Sequence, residues 1–171
     1  MFDVNKKIQP RVVLLLLFFI VCPSLTTLQA QITGFDQANL YLLPDFERFL
    51  DPDNLFVQVM IDSQEQTINA VDINIEFEPD KLSVDSLQFE NSFCSIIISE
   101  KINNQEGIIN ITCGTENEIA SSTINVALIT FKKLVPGWTA LSCNDSSVLA
   151  SNGLGTNILN TTEFHNIYLV K

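Results

Sequence analysis

The sequence has few of the residues from which most catalytic and metal sites are built. Its 171 residues include one histidine and four cysteines, with no Cys-x-x-Cys pair and no His-Cys cluster. A structural zinc site needs four nitrogen or sulfur ligands at close spacing, so none is expected. The Gly-x-Ser-x-Gly element of many hydrolases is also missing. We therefore predict a protein that is not an enzyme and that holds no metal or cofactor.

Basic residues and long apolar stretches are scarce as well. Nine lysines and arginines stand against 20 acidic residues, which gives a net charge of −11. Such a surface repels nucleic acid and anionic lipid, so neither is expected as a partner. Beyond residue 30 no apolar stretch is long enough for a membrane anchor. The mature chain is therefore predicted to have no membrane-spanning segment.

The N-terminus has the three parts of a secretory signal peptide. Basic residues come first, an unbroken apolar run at 12–21 follows, and Leu-Gln-Ala at 28–30 suits cleavage. The run is too short to span a bilayer, which takes about 20 apolar residues. We expect residues 1–30 to be removed on export, which makes the protein secreted or displayed at the cell surface. Acylation at Cys22 remains the alternative.

The rest of the chain has the length of one domain, with a polar lead-in at 31–37 and the domain itself at 38–171. Short apolar segments recur along it at a spacing of about 8–12 residues, which is typical of a β-sandwich or barrel. No segment of useful length has helical periodicity. We predict an all-β fold with nine strands, at 38–43, 55–61, 70–77, 82–89, 93–99, 108–113, 123–133, 139–143 and 163–170.

The segment at 70–77 has the clearest pattern, because apolar and polar residues alternate strictly along it. Successive side chains of a strand point to opposite faces, so the apolar set faces a core and the polar set faces solvent. A Pro79-Asp80 turn then leads into the next strand. The outward residues predicted by this pattern are Asp72, Asn74 and Glu76.

Three blocks resemble cohesin domains, the β-sandwich receptors of cellulosome-type assemblies. They are INAVDINIEFEPDKLSV at 68–84, ITFKKL at 129–134 with the PGWTALS that follows, and SSVLASNGLGTNIL at 146–159. The resemblance implies a nine-stranded jelly roll related to carbohydrate-binding modules. It also implies a dockerin-like protein partner, a small helical calcium-binding module, bound on one sheet face. That face would draw on the strands at 70–77, 95–99, 108–113 and 139–143.

The resemblance makes the outward row of the 70–77 strand the candidate partner site. Asn110 and Thr112 would join Asp72, Asn74 and Glu76 if the strand at 108–113 lies beside it. A merely solvated sheet face would show the same pattern, so this alternative stays open.

Exposed aromatic rings would instead favour a carbohydrate-binding module, since such rings stack on sugars. The candidates are Tyr41, Trp138 and Tyr168, and the two tyrosines would meet if the first and last strands pair. Ordinary packing of these rings is the competing interpretation. Polysaccharide is therefore kept as the alternative ligand.

The cysteines of the mature chain allow a disulfide, which an oxidising compartment would favour. Cys94 and Cys113 lie symmetrically about Asn103-Asn104, the predicted centre of a hairpin. Alternating isoleucines beside each cysteine, Ile96 and Ile98 among them, predict that both sulfurs face inward. We expect a Cys94–Cys113 bond, while pairing of Cys143 with either, or three free thiols, remains open.

The Ser-, Asn- and Gly-rich segment at 144–160 is predicted to be a loop. Its oxygen-bearing residues from Asp145 to Asn157 are of the kind that calcium uses, but Asp145 is the only acid between these two positions. Ordinary turn chemistry is the preferred interpretation. The apolar residues of this loop are expected to touch the core, Leu154 among them.

Overall fold

The computed structural model describes residues 37–44, 51–162 and 165–170, and this part of the chain contains eleven strands and no helix. The expected signal peptide at 1–30 and nearly all of the lead-in lie outside the described residues. The strands are β1 Ala38–Pro44, β2 Asn54–Asp62, β3 Ile68–Phe77, β4 Leu82–Gln88, β5 Ile96–Asn103, β6 Ile108–Ile119, β7 Ile124–Lys133, β8 Gly137–Cys143, β9 Ser147–Ala150, β10 Leu159–Thr162 and β11 His165–Leu169.

The strands form two sheets, which confirms the all-β sandwich. One sheet has the order β10-β1-β2-β7-β4, and the other has the order β11-β8-β3-β6-β5. The short β9 also pairs with β3, beyond the stretch that β8 covers. The strands at 70–77, 95–99, 108–113 and 139–143 therefore belong to one sheet, as the resemblance implied.

The core lies between the sheets and is built from alternate residues of each strand. In β3 the predicted inward residues Val71, Ile73, Ile75 and Phe77 are all buried. The ring of Phe77 meets that of Phe131 edge to face, with centroids 5.3 Å apart. Burying one such side chain is worth about 1.5–3 kcal/mol, so the alternation alone strongly selects this register.

Two of the eleven strands were not predicted, and both lie in or at the end of the segment interpreted as a loop. β9 pairs with β3, and β10 pairs in parallel with β1. Each is only four residues long, so neither is long enough to show alternation. They are extended because the edges of β3 and β1 offer backbone partners, which is a tertiary effect. Leu154 lies between these two strands and is 83% exposed, so the prediction that it contacts the core is wrong.

The first and last strands do not pair with each other. β11 lies antiparallel to β8, while β1 takes β10 and β2 as its neighbours. The first and last strands are therefore in different sheets, so the condition under which Tyr41 and Tyr168 would meet is not fulfilled. The chain changes sheet between β10 and β11, and no feature of the sequence marks the change.

The β5–β6 turn is held in place by hydrogen bonds to two other strands, β3 and β4. Gly107 has a φ of +73°, and its carbonyl accepts a hydrogen bond from the backbone N–H of Phe77. A Cβ at Gly107 would lie 2.1 Å from the carbonyl oxygen of Phe77, so the position requires glycine. Asn104 pairs its side-chain amide with both backbone groups of Val84, at 2.7 and 3.1 Å. The β5–β6 turn thus covers part of the free edge of β4, which is the terminal strand of the other sheet.

Candidate functional site

The register between β3 and β6 brings the five predicted partner-binding residues onto one face. Asp72 lies opposite Thr112, and Asn74 lies opposite Asn110. The hydroxyl of Thr112 donates to a carboxylate oxygen of Asp72 at 2.9 Å, and the Asn110 amide donates to the Asn74 side-chain oxygen at 3.2 Å. We call these four residues and Glu76 the polar patch.

The polar patch is open to solvent although its members are tied to one another. Asp72 and Glu76 are exposed, whereas Asn74, Asn110 and Thr112 are half-buried. The carboxylates therefore face solvent on either side of the Asn74–Asn110 amide pair along β3. This arrangement presents negative charge and spare hydrogen-bond acceptors on a stiff backbone.

Serines border the polar patch on both sides, whereas Lys101 of β5 lies opposite Asn110 and Ile108 of β6 lies opposite Glu76. Ser142 lies opposite Glu76, Ser147 lies opposite Asp72, and Ser99 lies opposite Thr112. Beyond Asp72 along β3, Ala70 lies opposite Gly114. A polar centre on a stiff sheet can be covered by a rigid protein surface without rearrangement of the backbone.

An aromatic pair lies on the same face, toward the edge formed by β11. Trp138 and Tyr168 are directly opposite one another, with ring centroids 5.3 Å apart and an interplanar angle of 70°. They are 67% and 48% exposed. Trp138 lies four positions before Ser142 in β8, which places it about 14 Å from the polar patch. The crossed rings do not form a flat shelf for a polysaccharide chain.

The predicted aromatic set is thus divided between the two sheets. Tyr41 lies in β1, opposite Met60 of β2, while Trp138 and Tyr168 lie in the other sheet. A single sugar-binding surface cannot include all three rings.

The opposite edge of this sheet carries exposed isoleucines, and two of them, Ile96 and Ile98, were predicted to face the core. Ile96, Ile97 and Ile98 are 44%, 42% and 67% exposed. A bulge between Ile97 and Ser99 interrupts the alternation, and β5 is the terminal strand of its sheet. The absence of alternation in IIISEKIN was the signal that could have revealed this exposure, since an edge strand buries neither face fully.

The expected disulfide between Cys94 and Cys113 is present, with a Cα–Cα distance of 5.4 Å. The reasoning from symmetry was wrong, however, because the turn lies at 104–107 and Cys113 is opposite Ile97. Cys94 precedes β5, where the backbone N–H of Phe93 bonds to the carbonyl of Asn125 in the other sheet. Cys143 is free and buried, and burial raises the pKa of its thiol to about 12.

The segment from Asp145 to Asn157 uses its oxygens in turns. The side-chain oxygen of Asn157 accepts from the backbone N–H groups of Val148 and Leu159, at 3.1 and 3.0 Å. Asn152 accepts from the N–H of Leu154 at 3.0 Å. Across the described ranges no group of three histidine, cysteine or acidic side chains is placed to hold a metal. The amide oxygens are engaged as ordinary turn chemistry requires.

Comparison with known proteins identifies the fold through structure and not through sequence. No protein-family model matches the chain, and no curated protein matches it. A cohesin module from a family 33 glycoside hydrolase of Clostridium perfringens is 9% identical, with a TM-score of 0.63 over 78% of this chain and 97% of its own.

Two other cohesins show the range of the similarity. The third cohesin of ScaC from Acetivibrio cellulolyticus, solved in complex with the ScaB dockerin, is 16% identical with a TM-score of 0.59, over 78% of this chain and 99% of its own. A non-cellulosomal cohesin from the archaeon Archaeoglobus fulgidus is 12% identical with a TM-score of 0.56, over 77% of this chain and 91% of its own. The chain is a cohesin-like domain in its fold.

Among the described residues, no helix is long and apolar enough to cross a membrane.

Proposed function

We propose that the protein is a non-catalytic interaction module that binds a dockerin-like protein through the outer face of the β11-β8-β3-β6-β5 sheet. The observation that carries the proposal is the polar patch. Five residues chosen from alternation and resemblance lie on one face of two adjacent strands, and four of them are paired by hydrogen bonds across these strands. Cohesins of the same fold include examples solved in complex with dockerins, which supports a partner of that class.

The composition of this face suits a protein partner. The centre offers carboxylates and amides that fix orientation through hydrogen bonds, while both edges offer apolar surface. Exposed tryptophan and tyrosine are the residues most enriched among those that dominate binding energy. Trp138 at one edge and Ile98 at the other, 67% exposed each, would lose that exposure beneath a partner.

The setting proposed for this binding is outside the cell, in a polysaccharide-degrading or cell-surface assembly. It depends on the signal peptide expected at residues 1–30. Intact-mass measurement of protein recovered from the medium tests it, since removal of residues 1–30 is expected. Retention of that segment, or acylated Cys22, would contradict this part of the proposal.

Binding to a panel of purified dockerins by calorimetry tests the function. At least one dockerin is expected to bind, and reversal of charge in the polar patch by Asp72→Lys with Glu76→Lys should abolish binding. Melting temperature should change little, because surface substitutions usually stay within about 0.5 kcal/mol. The matched control is Asp85→Lys with Glu90→Lys, which changes the net charge equally at exposed positions outside this face.

The possible results separate two errors. If no dockerin binds the unaltered protein, the proposed partner class is wrong. If a dockerin binds but tolerates both reversals in the polar patch, the partner class is right and the assigned face is wrong.

A further inference from the structure

A polar pocket lies on the other side of the sandwich, on the outer face of the β10-β1-β2-β7-β4 sheet. It has a volume of about 450 Å³, and the described residues that line it are Asn39, Tyr41, Asp62, Ser122 and Thr161. The volume falls within the range of small-molecule sites. Nothing in the proposed partner binding uses this pocket.

The register of three strands builds the pocket wall. Asn39 of β1 lies opposite Asp62 of β2 on one side and opposite Thr161 of β10 on the other. The hydroxyl of Thr161 donates to the side-chain oxygen of Asn39 at 2.7 Å. The backbone N–H of Gln64 donates to a carboxylate oxygen of Asp62 at 3.0 Å. Both polar side chains are therefore held in place before any ligand arrives.

These contacts determine which hydrogen-bonding groups face the pocket. Because the oxygen of Asn39 accepts from Thr161, its NH₂ group is the part left to donate. A carboxylate accepts several hydrogen bonds, so Asp62 keeps capacity beyond the bonds from Gln64. Ser122 and Thr161 add hydroxyl groups, and Tyr41 adds an aromatic ring.

The chemistry of the lining excludes most ligand classes. An anion would be repelled by Asp62, and no described lining residue carries a positive charge. A metal ion would find a single carboxylate, where oxygen-binding cations need six or more ligands. An apolar ligand would cover polar groups without satisfying them, which is unfavourable. A neutral molecule with many hydroxyl groups fits, since each hydroxyl both donates and accepts.

We propose that this pocket binds a short stretch of a neutral oligosaccharide. The apolar face of one sugar ring packs on Tyr41, its hydroxyls accept from the Asn39 amide and donate to Asp62, and Ser122 borders the open side. The inference is independent of the dockerin-like partner, because the two surfaces belong to different sheets and can be occupied together. An open pocket with one ring predicts weak binding, with a Kd in about the millimolar range.

Titration of the ¹⁵N-labelled protein with cellohexaose, xylohexaose, mannohexaose and chitohexaose tests the proposal by NMR. At least one sugar is expected to shift the backbone amide signals of Asn39 and Asp62 in a saturable way. Tyr41→Ala should weaken binding at least about tenfold, whereas Tyr41→Phe, which retains the ring, should bind nearly as well. The control Trp138→Ala removes an exposed ring from the opposite face and should leave binding unchanged.

A second variant tests the pocket without changing Tyr41, so that its result does not depend on whether Tyr41→Ala alters the structure. Ser122 is exposed, so Ser122→Arg should fold normally and obstruct the pocket, and it should abolish the shifts. Unchanged binding by Ser122→Arg would overturn the proposal. So would the absence of shifts with all four sugars, or shifts that cluster at Trp138 and Tyr168 instead.

Discussion

The Cys94–Cys113 disulfide should contribute a large part of the stability of the domain. The bond closes a loop with a sequence separation of 19, for which the chain-entropy model gives about 3 kcal/mol. Replacing both cysteines by alanine should therefore lower the free energy of unfolding by at least that amount. For a domain of this size the midpoint of thermal unfolding should fall by roughly 10 °C.

Cys143→Ala is the matched control for this experiment. Cys143 is also buried in the core, at 2% exposure, but forms no bond, so its replacement measures the loss of a buried sulfur alone. Urea denaturation of the three proteins gives the comparison. If the double variant loses no more than twice the free energy of unfolding that Cys143→Ala loses, the disulfide adds no stability and the prediction is refuted. Peptide mapping that finds Cys143 in a bridge would refute the pairing itself.

Three smaller predictions concern turns and the free thiol. Gly107→Ala should destabilise by more than about 2 kcal/mol in denaturant titration, while Gly153→Ala, at a similar positive φ in open space, should cost only about 1 kcal/mol. Asn104→Ala should cost about 1–2 kcal/mol, seen as a lower urea midpoint, because both backbone groups of Val84 lose a partner. Burial raises the pKa of Cys143 from 9.0 to about 12, so iodoacetamide should label this thiol only when the protein unfolds. The stability that the neutral thiol adds should decrease as pH rises above 9, because the thiol ionises first in the unfolded chain. Labelling of the folded protein near neutral pH would contradict this prediction.

The sequence was sufficient wherever one face of a strand is covered by the core and the other is not. β3 is the clearest case, since its inward residues are buried and its outward ones are exposed or half-buried, as alternation predicts. The same reasoning worked for β6, whose residues Asn110 and Thr112 lie beside β3 as expected. Two adjacent strands with clear alternation are enough to predict a polar patch.

Prediction failed where a strand depends on its neighbours. β9 and β10 are extended because other strands offer them backbone partners, and a four-residue segment cannot show this by itself. The isoleucines of β5 resemble a core strand in composition, but their exposure follows from its terminal place in the sheet. The pocket around Tyr41 joins residues from β1, β2 and β10, so it could not be found before the sheet order was known.

The change of sheet between β10 and β11 has a consequence for the order of events during synthesis. β10 is the second neighbour of β1, and β11 is the second neighbour of β8. Neither sheet can therefore be complete until residues near the end of the described chain are in place. The bond from Thr161 to Asn39 joins positions 122 residues apart. Contacts of such separation form late and slow folding. Until β10 and β11 have been synthesised, the unpaired edges of β1 and β8 can pair with other chains, so neither sheet is protected from such association before most of the described domain has been made.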